Sequence, residues 1–228
     1  MATTAGIFGS SISKKYWMAI TGLFLILFLV VHVGGNLQLL NLSEEGRLAF
    51  NEYTVFMTSF PVIKVVSYVL YFSILFHAVE GLWLTAQNRK ARSARYKYNR
   101  PGKSSLWASR QMGLLGTIIL AFIILHMGQF WYTYKFGEIP LDSAGNKDMA
   151  RVVISTFTDS SFGLWFVLAY VIAQVAIAFH LWHGFESTFQ SLGLTSKTQP
   201  VLKFVGRSYA VVVSLLFAII PVYIYLNA

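Results

Sequence analysis

Residues 16–40 read YWMAITGLFLILFLVVHVGGNLQLL, a run of 25 positions with no formally charged side chain and one histidine, His32, near its far end. At about 1.5 Å of rise per residue, a helix of this length crosses the roughly 30 Å hydrocarbon core of a bilayer. An imidazole held there is costly unless something partners it. Similar apolar runs cover 111–134, 160–185 and 208–228, and a further one, 65–88, is interrupted only by Glu80 near its end. The pattern predicts five spans, at about 16–41, 64–88, 108–135, 160–190 and 204–227, in a single domain over residues 1–228. The fold class expected is an all-α integral membrane protein.

Composition points the same way. Of 228 residues 56% are hydrophobic and 12% charged, and mean hydropathy is positive, which does not suit the half-wet surface of a soluble domain. Cysteine is absent, so disulfides, thiolate metal sites, iron–sulfur clusters and covalently attached haem are excluded. The first apolar run is too long for a signal peptide and lacks a small-residue cleavage site behind a short core. It is expected to stay as a span.

The basic residues predict an orientation. Lys14 and Lys15 precede the first span, RKARSARYKYNRPGK follows the second, and Lys197, Lys203 and Arg207 precede or open the fifth. The other two connections are acidic or balanced: NLSEEGRLAFNEY has three glutamates against one arginine, and 135–159 has four acids against three bases. The N-terminus is therefore expected inside and the C-terminus outside. The net charge of +9 then reflects topology and contact with anionic membrane lipid, not nucleic-acid binding.

All five histidines, His32, His77, His126, His180 and His183, fall in the first four spans. Helical rise puts His32 and His126 roughly 13–16 Å below the outer surface and His77 and His180 roughly 24–30 Å below it. The sequence contexts sort identically. Spans one and three share Gly22, His32, Gly34 and Gly116, His126, Gly128 at equal spacing, while spans two and four share FHAVEG (76–81) and FHLWHG (179–184). A single histidine in a span reads as an interhelical hydrogen bond; matched pairs at two depths read as bis-histidine ligation of two haems. The glycines suit this, since Gly22 and Gly116 lie about 15 Å from their own histidines, near the inner pair's depth. Gly81 and Gly184 would relieve crowding one turn below. Small-residue helix packing is the ordinary alternative for such glycines. His180 and His183 share a helix face, and the repeat selects His180, which like His77 precedes its glycine by four residues. His183 is left to a haem propionate, a quinone or a backbone carbonyl.

With these residues placed, YWMAITGLFLILFLVVHVGGNLQLL, FHAVEGLWLTAQNRKAR and FHLWHGFESTFQSLG give the chain a resemblance to the single-chain di-haem cytochrome b subunit of bacterial succinate dehydrogenases and fumarate reductases, in the form found in Bacteroidetes. The resemblance runs over nearly the whole chain. It implies a five-helix protein of the bacterial cytoplasmic membrane whose first four helices hold two haem b groups. His32 and His126 would ligate the distal iron, and His77 and His180 the proximal iron. It implies partners that anchor on this chain, a flavoprotein subunit with FAD that oxidises succinate and an iron–sulfur subunit, with electrons passing to quinone, menaquinone in the low-potential members. No catalytic residue for the dicarboxylate is expected here, and no Gly-rich dinucleotide loop occurs. One departure concerns protons: some fumarate reductases of this build carry a glutamate two residues before the proximal ligand of helix four, where this chain has Ala178. Rival readings are a di-haem subunit of a hydrogenase or formate dehydrogenase, and a haem-free histidine-containing transporter or anchor.

Of the remaining polar groups, Arg110 at the inner start of span three suits a propionate, since arginine binds carboxylates bidentately. Glu80 and Glu186 are expected to pair with Arg89, Arg110 or haem-associated groups, or to be solvated. The basic segment 89–103 is a candidate docking surface, Glu52 a weak candidate near quinone, and Trp131, Tyr132, Tyr134, Tyr223 and Tyr225 an interfacial aromatic belt.

Overall fold

Long apolar runs leave the backbone one way to pair its own N–H and C=O groups in hydrocarbon, the helix. The computed structural model describes residues 11–91, 107–194 and 199–228. Helices make up 87% of it, with no strand among the described residues beyond one bridge between Leu141 and Lys147. The helices are α1 (Ser11–Asn36), continued by a 3-10 turn (Leu37–Leu40), α2 (Glu44–Ser59), α3 (Pro61–Ala91), α4 (Trp107–Arg110), α5 (Met112–His126), a π-helical turn (Met127–Tyr132), α6 (Thr133–Phe136), α7 (Met149–Thr158), α8 (Gly163–Ser191) and α9 (Gln199–Asn227). Five stretches are long and apolar enough to cross a membrane: Ser13–Leu40, Pro61–Lys90, Met112–Phe136, Gly163–Ser191 and Pro200–Asn227. The chain is an all-α, multi-pass membrane protein.

Span boundaries have local causes. Phe60 is extended (φ −66°, ψ 125°) because the ring of Pro61 disfavours helix at the residue before it, and Pro61 then opens α3, where its missing N–H costs nothing. The break separates α2 from α3. Span five starts four residues earlier than its charge pattern suggests, at Pro200, so Lys203 and Arg207 lie within the helix, which also continues through Pro221.

The first span packs against the second and the fourth, and the third does the same, so spans one and three stand diagonally across a four-helix bundle, as do two and four. Span five lies outside this ring, mainly along span four. Gly206 and the fully buried Ala210 make that approach possible, since a Cβ on Gly206 would meet the Phe185 ring. The Tyr209 hydroxyl also donates to the Ile26 carbonyl of span one at 2.6 Å.

The connections after spans one and three each contain a helix, α2 and α7. Ser43 caps α2 by accepting from the Gly46 N–H, and Asp148 caps α7 by accepting from the Arg151 N–H. Together they bury Phe50, Met149, Ala150, Val153 and Phe157 against Leu39, Tyr170, Ile220 and Ile224. A polar clasp locks them. Asn51, 1% exposed, donates to Asp142 and Asp148 at 3.0 Å each and accepts from the Ala150 N–H at 2.8 Å, while Arg47 pairs with Asp148 at 3.1 Å. Burial alone would raise the Asp148 pKa; the hydrogen bonds from Asn51 and the Arg151 backbone and the Arg47 charge outweigh it and hold the carboxyl below its ordinary value.

Candidate functional site

Because diagonal spans face each other across the bundle, their inward histidines meet. The His32 and His126 rings lie 5.7 Å apart between centroids with planes at 87°, and the His77 and His180 rings 6.2 Å apart at 68°. Each pair joins one residue from each half of the internal repeat. His183 belongs to neither pair: it is half-buried on α8, one turn beyond His180.

The repeat extends beyond the histidines. A Cβ on Gly22 would stand 3.5 Å from His77 Cε1 and 3.4 Å from Thr188 Oγ1, and one on Gly116 would stand 3.9 Å from His180 Cε1. These two glycines therefore flank the inner pair. Gly81 and Gly184 meet methionines instead of rings, Met18 Cε at 3.9 Å and Met112 Cε at 4.0 Å. Met18 and Met112 each precede their repeat glycine by four residues, so the repeat is a packing unit that sequence reading had traced only in part.

Hydrogen bonding orients the rings. The Thr21 hydroxyl donates to the Trp17 carbonyl at 2.8 Å, which leaves its oxygen to accept from His77 Nδ1 at 3.3 Å. The Tyr170 hydroxyl donates to Gln129 Oε1 at 2.6 Å, which leaves its oxygen to accept from His126 Nδ1 at 3.4 Å. In both cases the proton is assigned to Nδ1 and the Nε2 lone pair is released for a metal. The other member of each pair differs: His32 Nδ1 lies 3.4 Å from the Asn36 amide nitrogen, and His180 Nδ1 is buried without a partner. Thr21, Tyr170, Gln129 and Asn36 were not singled out from sequence, although each is a polar group inside an apolar run. The π-helical turn beginning at Met127 follows His126 directly; such turns frequently mark functional sites.

The donor set suits axial ligation. Two metal–nitrogen bonds of about 2.0–2.1 Å, with a further ~1.2 Å from nitrogen to ring centre on each side, would separate imidazole centroids by about 6.4–6.6 Å. The His77–His180 spacing is about 0.2 Å short of that range and the His32–His126 spacing about 0.7 Å short. No group of three or more His, Asp or Glu side chains converges among the described residues, so a site built wholly from side chains, as for zinc, is not offered there. One imidazole from each of two facing helices, with Gly22 and Gly116 beside the inner rings, would suit haem b, whereas His180 Nδ1 lacks the partner that a ligating histidine ordinarily has.

The peripheral candidates behave differently. Glu186 pairs with Lys203 at 3.2 Å and accepts from Gln190 at 3.0 Å, which corrects the expected pairing with Arg89 or Arg110; the fifth span, packed against the fourth, brings the nearer cation. Glu80 keeps one carboxylate oxygen buried without a partner. Arg110 is exposed at the end of α4, and Glu52 is exposed on α2 beside Glu44 and Glu45. Of the basic segment 89–103, positions 92–103 lie outside the described residues, as does Lys197. Trp131 donates to the Tyr71 hydroxyl at 2.9 Å. No family model matches the chain, and neither a curated protein nor a solved structure matches it.

Proposed function

We propose that the chain is the membrane-anchor cytochrome b subunit of a succinate:quinone oxidoreductase, with His32 and His126 holding one haem b and His77 and His180 a second. The observation that carries the di-haem part is the meeting of the four histidines as two diagonal pairs at 5.7 and 6.2 Å. The succinate part rests on the resemblance of the three motifs. When bound, the haems supply one-electron transfer across the membrane between an iron–sulfur partner and quinone.

The chain's own residues do the rest. His77 and His126 present Nε2 because Thr21 and Tyr170 hold Nδ1–H. Gly22 and Gly116 leave room beside the inner rings. The α2 and α7 helices cover the outer end of the bundle with an apolar core and keep water from the outer pair. Lys14, Lys15, Arg89, Lys90, Arg110, Lys203 and Arg207 gather at the opposite end. That end is the cytoplasmic face, where the FAD flavoprotein and the iron–sulfur subunit dock, in a bacterial cytoplasmic membrane with menaquinone as electron acceptor.

A reduced-minus-oxidised visible spectrum with pyridine haemochrome quantitation tests this. Two haems b per chain and a co-purifying flavin subunit are expected. A folded, colourless protein would overturn the cytochrome reading, and two haems with a flavin-free partner would overturn the succinate reading alone.

A further inference from the structure

Spans four and five part at their basic end into a groove lined by Trp182, Lys203, Phe204, Arg207, Val211 and Val212. Lys203, Arg207 and Val211 follow at intervals of four, so the groove changes from cationic to apolar along one face of α9. Lys203 is paired with Glu186. Arg207 lies 5.2 Å from the centre of the Trp182 ring, and among the described residues no carboxylate lies within 4.0 Å of it. Two cations thus face one carboxylate, a surplus of one positive charge.

Depth says what meets that charge. The 28 residues of Pro200–Asn227 make a helix about 42 Å long, against roughly 30 Å of hydrocarbon, which leaves about 6 Å of helix in each headgroup layer. Arg207 begins about 10 Å from the helix end, below the headgroup boundary, and its side chain leans back toward the N-terminal end. The guanidinium lies over the Trp182 ring on the side of the helix end, within reach of a lipid phosphate. One turn deeper Val211 and Val212 are exposed, at 42% and 52%, while Phe204, 72% exposed, lies beside Lys203 nearer the helix end.

We propose that this groove is a binding site for an anionic phospholipid of the adjoining leaflet, with the phosphate between Lys203 and Arg207 and an acyl chain running inward along Val211 and Val212. The site is independent of the haem reading. It makes the junction between spans four and five sensitive to lipid charge, as basic pockets between membrane helices are.

The test uses the full chain in phosphatidylcholine nanodiscs doped with dibromo-phosphatidylglycerol or, at equal mole fraction, dibromo-phosphatidylcholine. Tryptophan quenching is read in wild type and in Trp182→Phe, and the difference isolates Trp182. The anionic lipid is expected to quench Trp182 more than the neutral one. That preference should fall roughly fivefold in Arg207→Gln and persist in Arg207→Lys. Lys203→Gln gives the parallel reading should Arg207→Gln not assemble. Equal quenching by both lipids overturns the proposal, as does a preference that survives both glutamine substitutions. A preference that appears only after a co-purifying soluble subunit is stripped away assigns the groove to a protein interface and also overturns it.

Discussion

The two histidine layers are built from matched helices but are held differently. The inner pair sits between glycines, with positions that Cβ atoms would fill 3.5 Å from His77 and 3.9 Å from His180. The outer pair has no such cradle: a Cβ on Gly34 or Gly128 would meet nothing within 4 Å. Its rings pack instead among Phe28, Phe122, Phe130, Tyr170 and Phe217. Above the outer pair lies the lid formed by α2 and α7, while no comparable cover stands over the inner pair among the described residues. A repeat duplicates the histidine geometry, and the surroundings then decide what packs around each layer.

Removing ligands breaks the comparison most severely. On the proposed di-haem reading, each of His32→Ala and His126→Ala should remove the outer haem, and each of His77→Ala and His180→Ala the inner one, so haem content falls from two to one per chain in a pairwise-identical way. His183→Ala should keep both. Loss of different spectral components within a pair would end the two-layer description.

The glycine cradle gives the next largest effect. Gly22→Leu places side-chain atoms where a Cβ is already 3.5 Å from His77 and 3.4 Å from Thr188, so the inner component should be lost while the outer remains. Gly34→Leu should spare both, because its position is open. Redox difference spectra of the two variants distinguish the layers.

Stability of the lid sharpens the contrast on the outer side. Asn51→Ala removes the amide partner of Asp142, Asp148 and the Ala150 N–H, and a cost of about 2 kcal/mol is expected, chiefly from the buried Ala150 N–H left unpaired, since both carboxylates keep other partners. Denaturant unfolding of the solubilised protein measures it. The inner haem spectrum should be unchanged in the folded fraction.

Hydroxyl removal is a finer probe. Thr21→Val should weaken haem retention at the inner pair roughly tenfold, and Tyr170→Phe should do the same at the outer pair. Haem transfer to apomyoglobin, followed by wavelength, reads each layer. An effect of either variant on the opposite layer would remove the hydroxyl's assigned role.

The smallest effect is titration of the clasp. The Asp148 pKa is depressed in the folded state, so its stabilisation is fully present above the unfolded carboxylate value and is lost as pH falls through the folded one. Thermal stability should therefore decline in acid below the ordinary carboxylate range, with a shallower decline in Asp148→Asn.

The five spans, the two-fold repeat and the histidine layers were legible because bilayer thickness and helical rise convert residue counts directly into depth. Gly22 stands beside His77 for the same reason, ten residues being about 15 Å. The lid was not legible. In α2 and α7 apolar and charged residues mix, and burial of Asn51 depends on Asp142 and Asp148, about a hundred positions away in the chain. The partner of Glu186 was likewise invisible, since Lys203 reaches it only when the fifth span packs on the fourth. Sequence alone determined what one helix must satisfy by itself: its length, its depth in the membrane and the repeat it carries. Tertiary structure decided what depends on which helices are neighbours: the diagonal pairing of imidazoles, the hydroxyls of Thr21 and Tyr170 at His77 and His126, and the groove at Arg207.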